Sequence, residues 1–145
     1  GQFLLADDFA ATFVGFGKSQ LPDDAGPLRV TKLDTPFAAI QVVPAEPGKP
    51  IAQADRLLVS AVARIGATGE EWNAARTSVS KQFGKPPAKI EVVRGELAVR
   101  TAGPMKVWAL HANGTRGNAV PATYEGGMLR FAIGGEPTVW YELGK

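Results

Sequence analysis

The stretch MLRFAIGGEPTVWYEL, residues 128 to 143, decides the fold. Leu129, Phe131 and Ile133 alternate with Arg130 and Ala132. After a Gly-Gly-Glu-Pro break, Val139, Tyr141 and Leu143 alternate with Thr138, Trp140 and Glu142. Successive side chains on a strand point to opposite faces, so an apolar period of two marks half-buried strands. The apolar face of each strand is the inner one. Tyr141 therefore goes in and Trp140 comes out. An outward indole is either covered by something beyond this chain or is itself a binding surface.

Working outward, seventeen Gly and eleven Pro punctuate short runs rich in Val, Ile, Leu and Phe. Strands are predicted over 2–5, 10–16, 28–33, 37–44, 55–65, 89–93, 97–101, 105–111, 119–124, 128–133 and 138–143. The run 55–65 is nearly all apolar, as expected of a central strand covered on both sides. Ala112-Asn113-Gly114 and Glu125-Gly126-Gly127 supply turn residues that tolerate positive φ. The pattern predicts an all-β fold in one domain, residues 1–145: an antiparallel β-sandwich of about 9–11 short strands. Such a chain is expected to be a monomer.

The exception to short connections is 66–88, predicted to be one long loop, a length that often carries function. Thr68 and Glu71 have capping-box spacing, which predicts a helical turn starting at Gly69. Trp72 and Phe83 in this segment either fold down as a plug on the core or stand out as a platform.

Composition closes several routes. Cysteine is absent and His111 is the single histidine, so thiolate and multi-histidine metal centres are excluded. The net charge of +2 comes from interspersed residues, without a basic stripe to track nucleic acid. No apolar run is long enough for a membrane helix. Gly15-Phe16-Gly17-Lys18-Ser19 ends like a phosphate loop, but Thr12 stands where that motif needs its first Gly. No serine sits in a G-x-S-x-G elbow, and the adjacent pairs Asp7-Asp8, Asp23-Asp24 and Glu70-Glu71 point apart on extended chain. A small hydrolase built on His111 is accordingly the weakest functional option, and no cofactor is expected. Asp23-Asp24, between Pro22 and Gly26, is more readily a solvated turn than a structural calcium site.

Aromatics remain. Trp72, Trp108, Trp140 and Tyr124 are candidate platforms for the flat faces of sugar rings, with Asn73, Glu70, Glu71 and Arg76 as polar neighbours of Trp72. Trp108 shares a face with Lys106 and Leu110, opposite Met105, Val107 and Ala109, and alternation alone leaves open which face is inner.

The order of segments then becomes informative: Pro36-Phe37, Pro50-Ile51-Ala52, the Arg-led run Arg56–Arg64, Thr68-Gly69 with Trp72-Asn73, Gly84 to Pro87, and Trp140-Tyr141-Glu142. From Pro36 onward this resembles the C-terminal β-sandwich accessory domain of large bacterial glycoside hydrolases. It departs from that pattern at Ala45-Glu46-Pro47-Gly48 and at His111, where an Asp is usual. The motifs are scaffold motifs rather than catalytic ones. The resemblance implies a non-catalytic, secreted module that binds a β-linked polysaccharide of the β-glucan class. The alternative it implies is an accessory domain that packs against a glycoside hydrolase catalytic domain in the same chain.

Overall fold

A computed structural model describes residues 2–17, 26–79 and 82–145. Its described strands are β1 (Phe3–Ala6), β2 (Ala11–Phe16), β3 (Leu28–Leu33), β4 (Phe37–Pro44), β5 (Arg56–Val62), β6 (Ile65–Thr68) and β7 (Lys85–Ile90). They continue with β8 (Gly95–Arg100), β9 (Lys106–Leu110), β10 (Arg116–Val120), β11 (Ala122–Glu125), β12 (Met128–Ile133) and β13 (Trp140–Gly144). The helical content of the described residues is one three-residue 3-10 turn, Ile51–Gln53.

Two antiparallel sheets pack face to face, one ordered β1-β2-β4-β5-β13-β9-β10 and the other β11-β12-β8-β3. The core between them is filled by the inward residues of each strand, with Phe13, Ile40, Leu57, Leu97, Leu129 and Tyr141 among the largest fully buried side chains. Alternation sorts the faces of the last two strands as expected from Trp140 onward, while Val139, expected inside, is half-buried ahead of β13. Leu129, Phe131, Ile133, Tyr141 and Leu143 are buried; Arg130 and Ala132 are exposed. Trp140 is 38% exposed beside a Tyr141 that is 1% exposed. The Tyr141 hydroxyl accepts the Gly134 N–H at 2.9 Å, so the phenol enters the core with its polar tip satisfied. Val107 and Ala109 are buried, which settles the faces of β9 and turns Trp108 outward.

Three expectations need correcting. The strand over 55–65 ends at Val62, and it is covered on one side only: Leu57, Val59 and Ala61 are buried, while Leu58 and Ser60 are half-buried on the outer face. The single strand over 119–124 is two strands in different sheets. Pro121 has no N–H to donate, and there the chain leaves β9 and crosses to β12.

The third correction is the largest. Residues 66–88 are neither a loop nor a helical turn but most of a hairpin arm. β6 pairs with β7, from Ile65 opposite Ile90 to Thr68 opposite Lys85. Beyond the ladder, the Glu71 N–H donates to the Gln82 carbonyl at 3.0 Å, and Trp72 bridges Val79. Gly69 has φ of +76°, outside the right-handed helical region that a capped turn requires. The strand predicted over 89–93 is accordingly β7, which begins at Lys85 and ends at Ile90. Every residue of β7 is exposed, so no apolar period could announce it. Two consecutive prolines, Pro86 and Pro87, are tolerated there because the arm has only two strands and each is an edge.

Candidate functional site

The arm carries Trp72, and local hydrogen bonds decide where that ring sits. Glu70 and Trp72 are two apart on extended chain, hence on one side of it. The Trp72 indole N–H donates to Glu70 Oε1 at 2.8 Å, while Glu70 Oε2 accepts the Ala67 N–H at 2.8 Å. The half-buried Glu70 carboxylate folds back over Gly66, where a Cβ would stand 2.8 Å from its Cδ. The indole hydrogen bond and then the Ala67 N–H hold the Glu70 carboxyl below its usual range against the opposing effect of desolvation, with the charge of Arg76 adding least. The indole is thus tethered at its edge, and Trp72 is 41% exposed. Phe83 is 76% exposed, so neither aromatic plugs the core.

Asn73 shapes the turn at the tip of the arm. Its Oδ1 accepts the Thr77 N–H at 2.9 Å and its Nδ2 donates to the Thr77 hydroxyl at 3.0 Å. The Arg76 N–H donates to the Asn73 carbonyl at 2.8 Å, with Arg76 at φ of 54°, a left-handed conformation that residues other than glycine seldom adopt. This turn brings Arg76 back beside Trp72. Together with Arg64, Glu70, Lys89 and Glu91 they line an open cleft of about 660 Å³ along the arm. Glu71, by contrast, is exposed and does not line it.

Ile90 lines this cleft and a second one of about 490 Å³, where the arm meets the edge of the seven-stranded sheet. Trp140 lines the second cleft with His111, Asn118, Glu136 and Thr138. Asn118 Nδ2 donates to Glu136 at 3.0 Å, and the Thr138 hydroxyl donates to the Leu110 carbonyl at 2.7 Å. His111 stands at the predicted β9–β10 turn, where its N–H donates to the Thr115 carbonyl at 2.9 Å. Asn113 Oδ1 accepts the Thr115 N–H in that same turn.

Trp108 and Tyr124 lie apart from both clefts. The Arg116 guanidinium covers one face of the Trp108 indole at 3.7 Å from the ring centroid. Arg116 in turn donates to Glu142, which also accepts from Arg56 at 3.1 Å, giving an aromatic-cation-anion-cation stack across β9, β10, β13 and β5. Glu142 is only 7% exposed. Burial opposes its ionisation, but hydrogen bonds from Arg116 and Arg56 prevail and hold its carboxyl below the usual range. Tyr124 is on β11, an edge strand of the other sheet.

Of the seven candidate residues, Trp72 and Arg76 line one cleft and Trp140 a different one. Glu70, placed beside Trp72 by the sequence, lines the first cleft as well, whereas Arg64, Lys89 and Glu91 escaped sequence reasoning. The i, i+2 relation of Glu70 to Trp72 was the available signal for the indole tether, hidden by the helical assignment. Among the described residues no three His, Asp or Glu side chains converge as a metal site; Asp23, Asp24, Lys18 and Ser19 lie outside the described residues. No protein-family model, curated protein or solved structure matches the chain.

Proposed function

We propose that the protein is a non-catalytic polysaccharide-binding module that takes a β-linked glycan, in the β-glucan class, along the Trp72 cleft. One observation carries this assignment: the Trp72 ring is substantially exposed in an open cleft while its N–H is already bonded to Glu70. A ring held in place loses little conformational freedom when a sugar stacks on it, which suits a weak and repetitive ligand. An open cleft admits a chain rather than a single small molecule. Such a module would act outside the cell, as part of a secreted glycoside hydrolase.

The test is affinity electrophoresis of the domain against soluble β-glucan, xylan and mannan. Retention corresponding to micromolar affinity, about −6 to −8 kcal/mol for an oligomer spanning several subsites, is expected. Trp72→Ala should weaken it at least tenfold with the melting temperature nearly unchanged.

A second role is favoured by a separate observation. Ile65, Phe83 and Ile90 on the arm and Val62 at its base are all exposed large apolar residues. Apolar surface of this kind on a projecting arm suits packing against a catalytic domain of the same chain. Loss of a two-domain association on Phe83→Ser, with glycan retention intact, would assign the arm that role.

A further inference from the structure

The charges around Trp72 say more about the glycan than the ring does. Three cationic side chains, Arg64, Arg76 and Lys89, line its cleft. Among the described residues none of the three forms an ion pair. The cleft has two carboxylates, Glu70 and Glu91. Glu70 spends its two oxygens on the Trp72 indole and the Ala67 N–H, so its acceptors face inward to the arm. Glu91 is left as the one anionic acceptor among the described lining residues.

A site for neutral sugars needs acceptors as well as donors, because every hydroxyl is both. Guanidinium and ammonium groups only donate. A cleft offering three such groups beside an aromatic platform matches a ring that carries an anionic oxygen cluster. A guanidinium meets a carboxylate or sulfate through two parallel charge-assisted hydrogen bonds, stronger than those it gives a hydroxyl. Arg76 is the best placed of the three. It occupies a left-handed backbone conformation held by the Asn73 turn, which returns it to the ring instead of leaving it at the tip of the arm.

We infer that the glycan taken by the Trp72 cleft is acidic, bearing a carboxylate or a sulfate ester on the residue next to the stacked ring. This rests on the polysaccharide assignment above and narrows it. The shared chemistry is a β-linked chain with a planar or tetrahedral anion at regular spacing. Arg64, Arg76 and Lys89 bind the anion, and Trp72 binds the ring.

The experiment uses three polymers with one backbone: hydroxyethyl-cellulose, cellulose oxidised to the uronate at C6, and cellulose sulfate. At low salt one or both acidic polymers should be retained about tenfold more strongly than the neutral one. That advantage should shrink steeply on raising salt to about 0.5 M, since exposed charge pairs are screened. The uronate and sulfate lanes distinguish the two anions. The variant Arg64→Gln/Arg76→Gln/Lys89→Gln should lose the acidic advantage, its ratio of acidic to neutral retention falling to about one. Arg94→Gln/Lys106→Gln/Arg130→Gln, with the same change in net charge outside the cleft, should keep both the advantage and the neutral retention. Trp72→Ala should lose both. Equal retention of neutral and acidic polymers overturns the inference and leaves the polysaccharide assignment standing. An acidic advantage that survives the cleft variant, or falls equally in the control variant, also overturns it. Retention of none of the three polymers, nor of soluble β-glucan, xylan or mannan, removes the assignment and the inference together.

Discussion

The Trp72 indole N–H donates to the Glu70 carboxylate across a single intervening residue, at 2.8 Å. That bond fixes the tilt of an exposed ring without burying it, so the ring is ordered before any ligand arrives. Removing the acceptor should therefore disturb binding more than folding. Glu70→Ala is expected to reduce glycan retention several-fold while leaving the urea midpoint of the domain close to wild type. An unchanged retention would mean that the ring needs no tether.

The same bond predicts a pH dependence. The Trp72 hydrogen bond and then the Ala67 N–H lower the carboxyl pKa in the folded arm. A lowered pKa means the ionised form is favoured by folding, so this contribution is fully present above the ordinary glutamate value of about 4.3 and is lost as pH falls below it. Retention should be flat through neutral pH and decline only on the acid side. Glu70→Gln cannot titrate and should remove that part of the decline. Gel retention measured from pH 7 down to about 3.5 checks both.

Tyr141 and Trp140 test the sorting of faces. Tyr141→Ala removes a fully buried aromatic and should cost about 3–5 kcal/mol in chemical denaturation. Tyr141→Phe keeps the ring but strands the Gly134 N–H, at a cost of about 1–3 kcal/mol. The position is reserved for glycine, since its φ is +91° and a Cβ there would meet the Val93 carbonyl oxygen at 2.5 Å. Trp140→Ala should cost about 1 kcal/mol or less. Similar urea midpoints for the two alanine variants would contradict the alternation.

The faces of the sandwich were legible because each sheet has one buried side, and that writes a period of two into the sequence. Residues 128–143 show it without ambiguity. β9 was harder, since Trp108 with Leu110 looks as apolar as Met105 with Val107, and the Arg116 guanidinium that covers the outward indole comes from β10, eight residues on. The arm was illegible for the opposite reason. With both sides exposed, β7 carries no apolar period, and its two prolines argue against a strand. The site shared that fate: Trp72, Asn73 and Arg76 could be picked out as residue types, but Lys89 reaches their cleft only through the β6–β7 register.

Glu142 links the outer face of the seven-stranded sheet. Its carboxylate holds Arg56 and Arg116, and Arg116 holds the Trp108 ring. Both arginines are substantially exposed and can be rehydrated, so Glu142→Gln should cost about 1–2 kcal/mol rather than the larger loss of a sealed ion pair. The native carboxyl lies below its usual range, so its contribution is present above the ordinary glutamate value and lost as pH falls through the range below. The wild-type stability curve should drop on the acid side more steeply than that of Glu142→Gln. Parallel curves from pH 7 to 3 would show that the stack contributes nothing measurable.

Gly66 gives the most economical test of whether arm geometry, rather than ring chemistry, makes the site. It lies on β6, opposite Lys89, with the Glu70 carboxylate folded over its open side. The three atoms that a methyl group at this position would meet first all belong to that carboxylate. The obstacle is the free end of a flexible side chain, so Glu70 can swing away, and the strand itself is undisturbed. Gly66→Ala should therefore leave the melting temperature within a few degrees of wild type. It should nevertheless release the Trp72 indole and the Ala67 N–H, and glycan retention should fall as it does for Glu70→Ala. Combining the two substitutions should add little to either, because they break one tether. Tryptophan fluorescence of a Trp108→Phe/Trp140→Phe background, which leaves Trp72 as the single indole, should show the same shift for both. A Gly66→Ala protein with wild-type retention and an unshifted Trp72 emission would mean that the ring holds its place without Glu70.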